Sequence, residues 1–503
     1  MKRPLATVGF TLFLALISLC LMNNAWLTVV IGASMLMLFT LSLINKKLKQ
    51  AVWLRAVFVT VFAACLIFIA AEVYDYYPSV ALAQENTQIT AQVTDYPTFN
   101  GKRYYANAKL CCDNGKKAKV RLSFAADSQY DESADEIIEE LKTGDILNFK
   151  GTVYVLGGNN SKIHRSFKSN GVYIGAYPTG KLNVSKHNTK SFLYALKHER
   201  QKVINQLLSS FDSDTSGVLI SVLIGDTEFL TDWIYSNFKT AGVAHLMAVS
   251  GLHLSVWVLF IMGVIDKSGL DRRKFALILI SFVVIIMAFA CFSKSVMRAG
   301  IMMIMYLFGF ILRKTPDSLN SLGFSAIVIL ILNPYSCMNV GFLLSFLSTL
   351  AIITFSAPLS AQLIKRFKKL DGRKILYKVI TAMLQSMAIS VGVLIYTFPV
   401  MLISFGSISL VSAITNVLFL PVTMPLIVCS GLYVMLYFVP VLSDALHFIS
   451  SAAVWYCTKV TQLISSLPYA SVDIPEPFIP LLLVLFFVFA VGALILYKRT
   501  RKM

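Results

Sequence analysis

The chain has 503 residues, 56% of them hydrophobic and only 14% charged, where a soluble globular protein carries about 25% charge. The sequence therefore reads as a polytopic α-helical membrane protein, and the strand pattern of residues 74–214 described below gives it an inserted extracytoplasmic β-barrel (OB-like) domain. Forty-five Lys and Arg against 26 Asp and Glu leave a net charge of +19, which in a membrane chain belongs to cytoplasmic loops before it belongs to a nucleic-acid surface.

Residues 1–73 predict three N-terminal transmembrane helices. Met1-Lys2-Arg3 and the apolar run to Met22 have the outline of a signal peptide, but no small-x-small site precedes a soluble domain and a second apolar run, 25–44, begins at once. The first two spans are joined at Asn23-Asn24, and the basic patch Lys46-Lys47-Leu48-Lys49 precedes a third span over 52–71.

Composition changes between residues 74 and 214, where 18 Lys and Arg face 15 Asp and Glu. Runs of period two at 88–93, 103–110, 118–124, 146–155 and 172–177 predict five strands, and an acidic stretch at 133–141 predicts a helix between the third and fourth. Residues 74–190 are thus an extracytoplasmic OB-like domain. Its Lys102-Arg103-Tyr104-Tyr105 cluster offers cations and aromatic rings of the kind that grip single strands, and an ordinary solvated hairpin edge has the same composition. Cys111 and Cys112, adjacent on a strand, point to opposite faces and do not pair.

Residues 191–240 read as amphipathic connecting helices, and 241–503 as a membrane domain of about nine spans: 244–265, 275–291, 296–312, 318–332, 342–364, 376–404, 408–438, 445–467 and 478–497. With both termini cytoplasmic, the clusters Lys267 to Lys274, Arg313-Lys314, Lys365 to Lys374 and Lys498 to Lys502 join Lys2, Arg3, Lys46, Lys47 and Lys49 on one side, 21 cations in all. The positive-inside rule then explains the basic excess without DNA.

Polar content inside the apolar half marks candidate sites. His245 and His253 flank a run rich in small residues, Ala244, Ala248, Gly251 and Ser255 forming one stripe of a continuous helix. Such stripes pack helices closely, while the histidines either face a polar interior or are satisfied in packing. Lys294 and Arg298, four apart at the outer mouth of a span, either snorkel to headgroups or line a path for an anion. Asn333-Pro334, Phe398-Pro399 and Pro421 to Pro425, with Asn416 upstream, predict broken segments of the kind that build sites at depth.

Taken in order, Gly225-Asp226, Phe238, Gly242, His245-Leu-Met-Ala-Val-Ser-Gly-Leu-His253, Ser295-Val-Met-Arg298-Ala299, Asn333-Pro334, Gly341-Phe342 with Leu344-Ser345-Phe346, and Phe405-Gly406 with Asn416 and Pro421 closely resemble the membrane core of the ComEC family. The stretch 167–175 resembles the end of that family's barrel domain. Leu343 stands where the family has Gln, and Asn339 where it has an acidic residue. The resemblance implies an inner-membrane channel subunit for single-stranded DNA in natural transformation. Its path would include His245, Ser250, His253, Lys294, Arg298, Asn333 and Asn416. Its partners would be single-stranded DNA, the lipid bilayer, a DNA receptor, a cytoplasmic motor or helicase, and a separate nuclease.

Many family members add a metallo-β-lactamase-like domain. Here no HxHxDH string occurs and the chain ends six residues after the last expected span, so the expectation is a chain with no catalytic residue, no metal and no cofactor. A permease for another anionic solute, its barrel binding a saccharide, and a non-conducting membrane scaffold are the alternative readings.

Overall fold

The computed structural model describes residues 3–22, 24–44, 52–99, 103–111, 117–125, 138, 140–157, 161–186, 191–269, 271–366 and 374–486. Contacts divide the chain into two units, Met1–Phe229 with Val249–Phe342, and Leu230–Ala248 with Leu343–Met503.

The first unit opens with α1 (Pro4–Met22) and α2 (Ala25–Ile44), followed by α3 (Val52–Val80), which runs 29 residues through a π-helical turn at Glu72–Tyr76. None of the three separates apolar from polar faces, as expected of helices surrounded by lipid and protein. Asn24 accepts from the Leu27 amide at 3.2 Å and so starts α2 almost directly after α1.

All five predicted strands form, and together they close a barrel. In chain order the strands are β1 (Thr87–Val93), β2 (Thr98–Phe99), β3 (Arg103–Cys111), β4 (Lys117–Ala125), β5 (Ile146–Val155), β6 (Ile174–Pro178) and β7 (Asn183–Ser185). The order β1-β3-β4-β6-β5 returns to β1 through a β1–β5 pairing, β4 and β6 pair in parallel, and the other barrel pairings are antiparallel. Closure leaves the main strands without open edges. Alternate residues fill the interior, Ile89, Ala91, Val93, Val120, Leu122, Phe124, Leu147, Phe149 and Ile174 among them.

The helix expected at 133–141 lies mostly outside the described residues, although Ile138 and Leu141 are buried in the barrel core. Cys112 and Lys102 also lie outside them, as do the basic clusters at 46–49 and 498–502 and the end of the last expected span. A helix that the sequence reading did not anticipate, α4 (Ser161–Ser169), connects β5 to β6.

Next come α5 (Phe192–Ser210) and α6 (Ser213–Ile224), the latter buried along nearly its whole length. Lys197 ties α5 to the barrel, its ammonium 2.5 Å from Asp95 and 2.6 Å from the Thr94 carbonyl. The second unit begins with α7 (Asp232–Thr240), and the first resumes with α8 (Gly251–Lys267), α9 (Arg272–Phe289), α10 (Lys294–Leu312) and α11 (Ser318–Leu332). Leu254, Val258, Met262, Leu279, Val283, Met287, Val296 and Leu307 pack α8, α9 and α10 together. α11 crosses α1 with backbones nearly touching, because a Cβ on Gly9 would collide with the Gly323 carbonyl and one on Gly323 with the Leu5 carbonyl.

Helix α12 (Val340–Lys365) carries the chain from the first unit into the second. There follow α13 (Lys374–Phe405), β8 (Ser407–Ser409), α14 (Ser412–Leu436), α15 (Pro440–Ser465), β9 (Ser471–Asp473) and α16 (Glu476–Phe486). β8 and β9 pair antiparallel. Phe238 of α7 meets Phe419 of α14 edge to face at 6.1 Å. The expected breaks at Phe398-Pro399 and Pro421 to Pro425 are absent: Pro399 lies inside α13, and Pro421 and Pro425 inside α14. Proline removes one backbone bond without ending a helix that packing holds.

Among the described residues, six helices are long and apolar enough to cross a membrane: α1, α3, α10, α12, α13 from Tyr377, and α14. At 1.5 Å per residue, about 20 residues match the ~30 Å hydrocarbon core. The chain is a multi-pass membrane protein with an inserted closed barrel.

Candidate functional site

The string from His245 to His253 is not one helix. His245 is exposed in a 3-10 turn, Ala244–Leu246, and α8 starts only at Gly251. The stripe expected to join Ala244 and Ala248 to Gly251 and Ser255 therefore does not form.

Ser250 and His253 form a capping box at the start of α8. The Ser250 hydroxyl accepts from the Leu252 amide at 3.3 Å, while its own amide donates to His253 Nδ1 at 3.1 Å and its hydroxyl lies 3.0 Å from the same nitrogen. The histidine occupies the third helical position, where Glu or Gln usually reaches back. Because Nδ1 accepts from a backbone N–H, the neutral ring carries its proton on Nε2.

Arg298 lies one turn into α10 and is only 7% exposed. Its Nη1 approaches Met302 Sδ at 3.5 Å. A Cβ on Gly251 would stand 3.2 Å from Arg298 Nη2 and 3.0 Å from the Ala299 Cβ, so the bare backbone of the first turn of α8 gives the guanidinium its room. Lys294, one turn earlier, is half-buried and lies within electrostatic reach of Lys119 on β4. Ser295 between them donates to the Gly341 carbonyl at 2.9 Å.

Asn333 and Asn339 hold the barrel's helix. Asn333 ends α11, accepts from the Tyr335 amide at 3.0 Å, and donates to the Ser169 carbonyl at 3.0 Å. Asn339 donates to Ser169 Oγ and Asn170 Oδ1, each at 3.2 Å, while accepting from the Phe342 amide at 3.0 Å. An acid at 339 accepts equally well but has no N–H for the two barrel contacts. Beside them Lys168 Nζ pairs with Glu72 at 2.7 Å, their side chains 11% and 8% exposed, and lies 3.9 Å from the Tyr76 ring centroid and 4.3 Å from that of Tyr335. Tyr173 closes the group, 5.4 Å from Tyr76 and 6.3 Å from Tyr335.

The barrel cluster divides between faces. Tyr104 packs on the barrel core and against Phe99 at 4.6 Å. Arg103, Tyr105 and Lys109 point outward with Lys119 and Arg121 of the neighbouring strand, where Lys109 pairs with Lys119 and Asn107 with Arg121. The Arg121 guanidinium lies 4.4 Å from the Tyr105 ring centroid and 5.1 Å from that of Phe167. In the second unit Asn416 of α14 donates to Ser390 of α13 at 2.9 Å.

A family model described as Competence protein matches residues 222–500. The chain belongs to the competence protein family. It is similar to ComE operon protein 3 of Bacillus subtilis (strain 168), with 26% identity over 232 residues, 46% of this chain and 28% of that protein. The chain thus matches little more than a quarter of that relative's length. No solved structure matches.

The family match takes in His245, Ser250, His253, Lys294, Arg298, Asn333 and Asn416 and stops short of the barrel strands. Within this competence-family chain the structure gathers Gly251, Lys294 and Arg298 at the starts of α8 and α10. It gives Ser250 and His253 to a helix cap, Asn333 to the barrel's support, and Asn416 to a link between two helices of the second unit. Glu72, Lys168, Tyr76 and Tyr335 escaped the sequence reading. Glu72, an acid set directly at the end of an apolar run, is the signal in the sequence that points to this group.

Proposed function

We propose that this chain is a channel subunit in the cytoplasmic membrane that passes single-stranded DNA during natural transformation. The observation that carries this reading is the buried Arg298, held at the mouth of a membrane helix inside the family-matched region. A strand bears one charge per nucleotide, which an apolar bilayer cannot accept, and a guanidinium bonds phosphate oxygens without losing its proton. Lys294, and Lys119 within its electrostatic reach, extend positive charge from this mouth toward the outward face of the barrel. Conduction needs partners that deliver and pull the strand: a receptor, a cytoplasmic motor or helicase, and a separate nuclease where one strand is degraded. This chain acts as a conduit, not a catalyst.

In the proposed topology both termini are cytoplasmic and residues 74–214 lie outside. The Arg3–Asp317 ion pair at 2.8 Å supports it, because it sets the starts of α1 and α11 at one end, as an even number of crossings between them requires. A phosphatase active only in the exterior compartment should work when fused after Asp75 and stay silent after Lys314 or Lys369.

The functional test is uptake of labelled DNA into the cytoplasm of a deletion strain carrying Arg298→Gln. Uptake should fall sharply while the protein remains in the membrane at normal level. Wild-type uptake by that variant would remove Arg298 from the path, and unchanged uptake in the deletion strain itself would remove the function.

A further inference from the structure

Cys20 and Cys337 are 317 positions apart in the chain, yet Cys337 Sγ donates to Cys20 Sγ at 3.6 Å. Cys20 lies in the last turn of α1 and is half-buried. Cys337 is fully buried in the 3-10 turn Pro334–Met338 that follows Asn333. Packing holds both segments around the sulfurs. Phe13 of α1 meets Phe342 edge to face at 5.8 Å, and Phe68 of α3 meets Tyr335 at 5.9 Å. A disulfide needs its sulfurs about 2.0 Å apart, so the pair lies roughly 1.5 Å from bonding.

We propose that Cys20 and Cys337 form an intramolecular thiol–disulfide exchange site, with Cys20 as the attacking and Cys337 as the resolving cysteine. The Cys20 thiolate attacks a disulfide RSSR, forms Cys20–S–S–R and releases one RSH. The Cys337 thiolate then attacks the Cys20 sulfur, forms the Cys20–Cys337 bond and releases the second RSH. Two protein thiols are oxidised, one external disulfide is reduced to two thiols, and the two cysteine protons leave on those thiols. The order follows from access: an incoming disulfide meets half-buried Cys20 before buried Cys337.

The bond would join the end of α1 to the turn between Asn333 and Asn339, the two amides that grip the barrel's helix at Ser169 and Asn170. Oxidation would therefore fix the footing of the barrel. In the proposed topology this end of α1 faces the exterior, where disulfides persist. The pairing itself does not depend on what the channel conducts.

The test uses the full-length chain, reduced in detergent, exposed to oxidised glutathione, blocked with N-ethylmaleimide and digested for mass spectrometry. The expected result is a Cys20–Cys337 linked peptide from the monomer and a higher melting temperature for the oxidised protein. Cys337→Ser should trap a glutathione adduct on Cys20, whereas Cys20→Ser should leave Cys337 a free thiol that the maleimide labels only after denaturation. If neither variant folds, the wild-type linkage map decides alone. No linked peptide, or Cys20 joined to another cysteine or to a second copy of the chain, would overturn the proposal.

Discussion

Gly251 and Arg298 fit one another closely: a methyl group at position 251 would stand 3.2 Å from the guanidinium and 3.0 Å from the Ala299 Cβ, so one of these neighbours would have to give by a few tenths of an ångström. A buried cation and a bare helix start thus share one space, and a change at either reaches the other.

Gly251→Val should displace Arg298 or spread α8 from α10. The expected cost is about 1–3 kcal/mol, as for overpacking elsewhere, together with a loss of uptake close to that of Arg298→Gln. Thermal unfolding in detergent and labelled-DNA uptake measure the two effects, and full uptake by the valine variant would mean that the fit has no functional role.

Removing one member of the Glu72–Lys168 pair should destabilise the first unit more than removing both. Lys168→Met or Glu72→Gln leaves a charge or a polar group buried among Tyr76, Tyr173 and Tyr335, at a cost of about 3–5 kcal/mol. The double variant should recover part of that loss. A double-mutant cycle on melting temperature checks this, and simple additivity of the single losses would show that the two charges do not depend on one another.

Asp317 caps α11 by accepting from the Asn320 amide at 2.9 Å and pairs with Arg3 at 2.8 Å. The Asn320 backbone N–H, then the Arg3 guanidinium, hold its carboxyl below the ordinary value. A depressed folded value means stability that is complete above the unfolded carboxylate pKa of about 4 and is lost as pH falls through the folded value. Asp317→Asn keeps an acceptor for the cap and should erase this acid dependence at little cost near neutrality. Asp317→Ala should cost about 1 kcal/mol at any pH above that range. Melting temperature against pH for the three proteins separates these outcomes.

On the barrel, Tyr104 and Tyr105 should behave differently although they are neighbours. Tyr104→Ala removes a ring packed on the barrel core and should lower stability by about 3 kcal/mol or less, being partly buried. Tyr105→Ala, Lys119→Ala and Arg103→Ala should instead weaken binding of a fluorescent single-stranded oligonucleotide by the solubilised full-length chain. Each lost phosphate contact should flatten the plot of log affinity against log salt by about 0.7. Equal effects of Tyr104 and Tyr105 on binding would contradict the division between faces.

The sequence by itself determined the membrane class, the barrel strands to within two residues at most ends, and the family. These follow from local periodicity, the length of apolar runs and an ordered set of motifs, all written along the chain. It misjudged continuity in both directions. The histidine string breaks before Ser250, since Ser250 and His253 cap a new helix, while Pro399, Pro421 and Pro425 pass through α13 and α14 unbroken. Whether a polar residue lines a path, caps a helix or bridges two elements depends on which distant groups satisfy it. Only tertiary structure brings Asn333 to Ser169, Lys168 to Glu72 and Cys337 to Cys20. Spacing in sequence constrains neighbours on one helix or strand, whereas these contacts join segments about 100 to 300 residues apart, where only packing and hydrogen-bond satisfaction choose the partner.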